Sequence, residues 1–257
     1  MSKSQSNPIK ILIWIGVVIA VCLFFIYVKN IVEKRQASPI SQTKPNLDNL
    51  TGLVKMNPIN GLPYPGTYDL EKIFEVPNYS VLDSSSALQP LHKYTQGKIT
   101  LLTFFYERCS DVNGCPYAMN VFQMVKAKLE IKNKDNEQFL LLSISFDPEI
   151  DTTVMFKGLE KKVSNNRANS IDWFFLTEKS ITELLPIIDG FGQNVDVIIS
   201  SITGGKSLTY QHVLKVFLID ETGTVREIYS TAYLNQEVIL NDIETLLLKQ
   251  DDKRVIN

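Results

Sequence analysis

Residues 98–119 read KITLLTFFYERCSDVNGCPYAM, and this stretch decides the fold. Ile99 to Phe105 is apolar almost without break, the composition of a strand in the middle of a sheet covered on both faces. Pro116 then opens a helix over Pro116–Ile131, in which Met119, Phe122, Met124, Val125 and Leu129 recur near helical spacing. Proline suits a first helical turn, where its missing N–H costs nothing. Between strand and helix stand Cys109 and Cys115, separated by Ser110-Asp111-Val112-Asn113-Gly114, a polar segment holding an Asn-Gly turn signal.

The alternation continues on both sides of this unit. Downstream, Phe139–Phe146 reads as a second buried strand, Asp151–Lys162 as a helix, Trp173–Leu176 as a short strand and Ile181–Ile188 as a short helix. Val213–Ile219 and Thr224–Tyr229 form a hairpin around Asp220-Glu221-Thr222-Gly223, and Asn235–Leu248 closes the chain as a helix. Upstream, Thr67–Val76 reads as an extended lead-in and Val81–Asp83 with Ser84–Ser86 as a short hairpin. The order β-α-β-α, then β-β-α, predicts an α/β fold: a thioredoxin-like domain with a mixed central sheet over residues 63–250, followed by a short tail, 251–257. With 257 residues and 44% apolar content the chain can bury one full core.

The N-terminal part has a different composition. After a ten-residue tail, Ile11 to Val28 (ILIWIGVVIAVCLFFIYV) carries no charge over 18 residues. That is long enough to cross a bilayer, longer than the apolar region of a cleaved signal, and apolar on every side, unlike a helix of a soluble core. It predicts a single N-terminal transmembrane helix, with Cys22 within it as a small apolar side chain. Residues 29–62, rich from Gln36 onward in Ser, Thr, Asn, Pro and Lys, read as a flexible linker. No long Arg-rich presequence precedes the span, so the expected setting is a bacterial cytoplasmic (inner) membrane with the domain facing the periplasm.

Net charge is −2, and five of the 26 basic residues lie at or before Arg35 against one acidic residue, Glu33, so the remainder is decidedly acidic. Phosphate-backbone binding needs the opposite sign, which excludes nucleic acid as a partner. Gly204-Gly205-Lys206-Ser207 resembles the tail of a phosphate-binding loop, but Ser200 stands where that motif requires glycine. We expect no nucleotide site, and a mobile loop there instead.

The thiols carry the chemistry. With Pro116 opening the helix, Cys115 stands at or beside its N-cap, where unpaired N–H groups and the helix dipole favour a thiolate and lower the pKa. Arg108 adds positive charge near Cys109, and Glu107 opposes it. Of the two histidines, His92 precedes the thiol strand in a polar setting, while His212 leads into Val213–Ile219. Two soft sulfurs and an imidazole make a low-coordinate site suited to Cu(I); Zn(II) ordinarily wants a fourth ligand. A structural disulfide would close only a short loop, which stabilises little, and a dithiol exchange centre remains open. Met119 and Met124 read as core packing, and Asp147-Pro148 as the end of the second strand and the start of a turn.

Four segments together resemble the Sco/SenC proteins, assembly factors of cytochrome c oxidase, over about Thr67 to Leu248. Phe104 to Cys109, Asp111 and Cys115-Pro116 are similar to that family's copper-binding segment. Ser145-Phe146-Asp147-Pro148-Glu149 with Asp151-Thr152 is similar to its S-x-D-P-x-x-D-T stretch, and Trp173 to Thr177 to its W-x-F-L-T strand. His212, ahead of Phe217-Leu218-Ile219-Asp220, falls where the family places its metal-binding histidine. The chain departs in having five residues rather than three between the cysteines, and Gln211 where Asp often precedes the histidine. The resemblance implies a membrane-anchored copper chaperone, not an enzyme, that holds a copper ion with Cys109, Cys115 and His212. It further implies delivery to cytochrome c oxidase subunit II or another copper-receiving protein. The competing expectation is a thiol-disulfide oxidoreductase using Cys109 and Cys115.

Overall fold

The computed structural model describes residues 55–132, 136–164, 170–193, 195–202 and 205–256, with the backbone alone for 196–202, 205–212 and 251–256. The expected anchor at 11–28, Cys22 within it, and the linker as far as residue 54 lie outside the described residues. Among the described residues no helix is long and apolar enough to cross a membrane. The described residues form ten strands and five α-helices, in chain order β1 Phe74–Glu75, β2 Ser80–Leu82, β3 Leu88–Pro90, α1 His92–Thr95, β4 Ile99–Phe105, α2 Cys115–Lys132, β5 Phe139–Ser145, α3 Thr153–Val163, β6 Asp172–Leu176, α4 Ile181–Gly190, β7 Val195–Ile202, β8 Gly205–His212, β9 Lys215–Ile219, β10 Thr224–Ser230 and α5 Gln236–Ile256.

Six strands form one mixed sheet in the order β1-β10-β9-β4-β5-β6. β4, β5 and β6 run parallel, β9 lies antiparallel on the other side of β4, and β10 and β1 extend that edge antiparallel. All seven positions of β4 and all seven of β5 are buried, as their unbroken apolar runs require of strands covered on both faces. Consecutive strand residues point to opposite faces, so Phe104 and Phe105 head two separate aromatic clusters. Phe104 meets Phe191, at the C-terminal end of α4, and Phe217 of β9, at centroid separations of 5.4 and 6.3 Å. Phe105 meets Phe156 of α3 and Phe175 of β6 at 6.2 and 5.6 Å, and Trp173 continues that cluster to Phe122 of α2. Helices α2 and α3 therefore cover the Phe105 face and α4 the Phe104 face. This is the mixed α/β sheet of a thioredoxin-like domain.

Three regions differ from the sequence reading. Gly205 to Ser207, part of the segment expected as a mobile loop, belong to a strand of a two-stranded hairpin, β7 with β8, in register from Val195↔His212 to Ile202↔Gly205, while Gly204 lies outside the described residues. The physical reason lies in Val195, Val197, Ile198 and Ile199, β-branched residues that favour a pleated strand. His212 accordingly ends β8, rather than standing in a loop ahead of the next strand. The closing helix runs on through Ile256, taking in the segment expected as a tail. The end of the expected linker, from Lys55, folds with Pro63 and Tyr64 into a turn in which Asn57 N donates to Leu62 O at 2.7 Å and Tyr64 N to Lys55 O at 2.9 Å.

Candidate functional site

The site forms where β4 runs out. Cys109 N donates to Tyr106 O at 3.2 Å, which turns the chain as it leaves the strand. Asp111 then organises the intervening residues: its Oδ1 accepts from Asn113 N at 3.0 Å and its carbonyl from Gly114 N at 2.9 Å. A Cβ on Gly114 would lie 3.2 Å from that carbonyl, a tight contact that would push against the turn. Gly114 O accepts from Ala118 N at 3.1 Å, which makes Cys115 the first residue of α2. The five-residue segment between the cysteines is thus a compact turn, and the side chains of Cys109 and Cys115 hydrogen-bond each other as free thiols.

The two sulfurs sit in unlike surroundings. Cys109 is half-buried and Cys115 is buried. Contrary to the expectation from its helix-start position, the Cys115 thiol is pushed well up from its ordinary range. Burial is the main cause, and the neighbouring Cys109 adds to it. Backbone hydrogen bonds from Tyr106 and from Cys115 itself favour the thiolate but do not overcome the loss of hydration. Without a cation, then, Cys115 is a neutral thiol. A metal ion bound there would supply positive charge and favour release of the thiol protons.

A second loop holds the first in place. Asp151, buried, accepts from Glu107 N at 3.0 Å and from Ser145 Oγ at 2.6 Å through one carboxylate oxygen. Asp147, also buried, receives Arg108 Nη2 at 3.2 Å, while its N–H donates to Ser145 Oγ at 3.0 Å. Arg108 is therefore engaged by Asp147, where the sequence had suggested a counter-charge for Cys109. The Asp147-Pro148 turn does end β5, as expected, but it also clamps the two residues that precede Cys109. The sequence reading missed that second role. Its signal was the grouping of Ser145, Asp147 and Asp151 within seven residues, three polar groups that all prove to be buried.

Both sulfurs line a cleft of about 180 Å³ on the Phe105 face, together with Tyr106, Met119, Trp173 and Phe175. His212 reaches the same end of the sheet through its backbone. β9 pairs antiparallel with β4, Val216 opposite Thr103, so the residues before Lys215 run toward the end from which Cys109 emerges. Gln193 Nε2 donates to Val213 O at 2.8 Å and fixes the chain directly after His212. The His212 ring lies outside the described residues. Among the described residues no three His, Cys, Asp or Glu side chains gather as a metal site. The other histidine, His92, bonds the Val76 carbonyl through Nε2 at 2.7 Å and has a structural role.

Fold and site together define a thioredoxin-like domain with a dithiol between its central strand and the following helix. Residues 76–248 match the SCO1/SenC family, and the chain belongs to it. Among solved structures, a SCO1/SenC family lipoprotein from Bacillus anthracis str. Ames is 20% identical with a TM-score of 0.54, covering 68% of this chain and 95% of that one. ScoI from Arabidopsis thaliana with copper bound is 17% identical with a TM-score of 0.52, covering 67% and 98%. Apo Sco1 from Thermus thermophilus is 18% identical with a TM-score of 0.51, covering 68% and 95%. At these identities the likeness is one of fold. No curated protein matches the chain by sequence.

Proposed function

We propose that this chain is a membrane-anchored copper chaperone that holds one Cu(I) between Cys109, Cys115 and His212 and passes it to a copper site of a respiratory oxidase. The observation that carries the reading is the pair of reduced, mutually hydrogen-bonded thiols in a SCO1/SenC chain. Copper bound to the Arabidopsis relative supports it, as does the direction in which β9 carries the backbone of His212. Ile11 to Val28 supplies the anchor, and the domain faces the periplasm of a bacterial inner membrane. The resemblance set out above points to cytochrome c oxidase subunit II as the recipient.

Loading exchanges two thiol protons for one cuprous ion, leaving two thiolates whose charge the metal offsets in part, with one negative charge remaining. The half-exposed Cys109 is the ligand a recipient's sulfur reaches first, so transfer proceeds by ligand exchange from that side. The same asymmetry favours a second reading, in which Cys109 attacks a partner disulfide and the buried Cys115 resolves the mixed intermediate. That reading needs no histidine.

A competition titration separates the two. Reduced full-length chain in detergent is mixed with Cu(I) and a chelator, beside Cys109→Ser, Cys115→Ser and His212→Ala. Tight binding is lost in both cysteine variants, and His212→Ala weakens it by about 10–100-fold. Unchanged affinity in the cysteine variants overturns the copper reading, and unchanged affinity in His212→Ala removes the imidazole from the site.

A further inference from the structure

Met119 stands four residues after Cys115 on α2, and both line the cleft that also receives Cys109. Residues at that spacing share a helix face, with Cβ atoms about 5–6 Å apart. Helical side chains also lean toward the N-terminal end of their helix, so Met119 inclines over the turn that begins with Cys115. Met119 is partly buried, and its Sδ accepts from Ser143 Oγ at 3.8 Å, a weak bond for a thioether. Ser143 Oγ also accepts from Trp173 Nε1 at 3.0 Å and so keeps a partner if Met119 turns away. Three rotatable bonds let the sulfur swing while the helix stays still.

We propose that Met119 is a thioether ligand to the ion held by Cys109 and Cys115, an inference that rests on the copper reading above. A thioether is soft, which matches Cu(I), and neutral, which matters here. Two thiolates on one cuprous ion already leave a net negative charge beside the buried Cys115, and a further anionic ligand would add to the cost of burying it. Met119 would add a third sulfur to the site from the helix side of the cleft without adding charge. Met124, on the same helix, packs against the core and does not line the cleft, so it serves as the control.

The test uses full-length chain with selenomethionine at its methionines, reduced and loaded with one Cu(I), read by X-ray absorption at the copper edge. Copper–selenium scattering is expected in the parent protein and in Met124→Leu, and is expected to vanish in Met119→Leu, a change that keeps volume and therefore the fold. In unlabelled protein Met119→Leu is expected to weaken Cu(I) at least about tenfold, the lower end of what removing supporting groups around a metal costs. Copper uptake without any copper–selenium scattering overturns this inference and leaves the chaperone reading standing. Failure of the parent chain to take up Cu(I) overturns both.

Discussion

Two buried acidic corners lie at opposite ends of the same sheet, and they are built for different ends. Asp220 closes the β9–β10 turn, far from the thiols: Ile219 pairs with Thr100, at the start of β4. Its Oδ1 accepts from Thr222 N, Thr222 Oγ1 and Thr224 N at 2.9, 2.6 and 3.0 Å, and its Oδ2 takes Arg226 Nε at 2.6 Å. Burial alone would raise this carboxyl, but those hydrogen bonds and the guanidinium hold it below the usual carboxylate range. Gly223, at φ +82°, completes the turn with a backbone that side chains rarely tolerate. Asp151, beneath the thiol loop, is satisfied on one oxygen only, and Oδ1 is buried with no hydrogen-bond partner. Burial raises its pKa, the charges of Asp147 and Glu107 add to the rise, and the bonds from Ser145 and Glu107 only partly oppose it. One corner is saturated and serves stability. The other holds a loop at an energetic cost, as positions serving function often do.

Asp220→Ala gives the largest expected effect. It strands Arg226 and three donors in a buried turn and costs about 3–5 kcal/mol of stability by denaturant unfolding. The Cu(I) affinity of the folded fraction is expected to stay at the parent value, because the turn is at the far end of the sheet. Asp151→Ala reverses the balance: about 1–3 kcal/mol of stability for two lost hydrogen bonds, but about 10–100-fold weaker Cu(I) as Glu107 and then Cys109 lose their anchor. Equal copper losses in the two variants would erase the distinction between the corners.

Acidity sharpens the comparison through a smaller effect. Asp220, with its pKa lowered by folding, contributes stability that is full above the unfolded value of about 3.9 and is lost as pH falls through the folded value. Asp151, with its pKa raised beside Asp147 and Glu107, contributes stability that is present below about 3.9 and lost as pH rises through the folded value. Between about pH 3 and pH 7, then, the stability difference from the parent should grow with pH for Asp220→Asn and move in the variant's favour for Asp151→Asn. Urea midpoints across that range check the signs, and parallel slopes would contradict them.

What the sequence made legible follows from how local each signal is. The buried strands β4 and β5 and helix α2 were readable because unbroken apolar runs and a proline-led helical period depend on few neighbours. The pairing of the two thiols was readable from the polar turn between them. The Cys115 pKa was not: the N-terminal position of the residue shows in the sequence, but its burial is set by elements such as β4 that pack around it. The Asp147 and Asp151 clamp was hidden for the same reason, since Glu107 and Arg108 meet it across about 40 residues of chain. The β7–β8 hairpin went unread because its glycine-rich tip outweighed the β-branched run before it. Met119 and Met124 both pack against the core, as expected, but the sequence did not show that Met119 alone of the two also lines the thiol cleft.

The central claim is that the two sulfurs, in their reduced form, hold one cuprous ion as thiolates. The most direct measurement compares fully reduced full-length chain with chain oxidised to the Cys109–Cys115 disulfide, each titrated with Cu(I) against a competing chelator. The account predicts one tightly held ion per reduced chain and none on the oxidised chain, with binding restored on reduction. Equal retention of copper by the oxidised chain would contradict it.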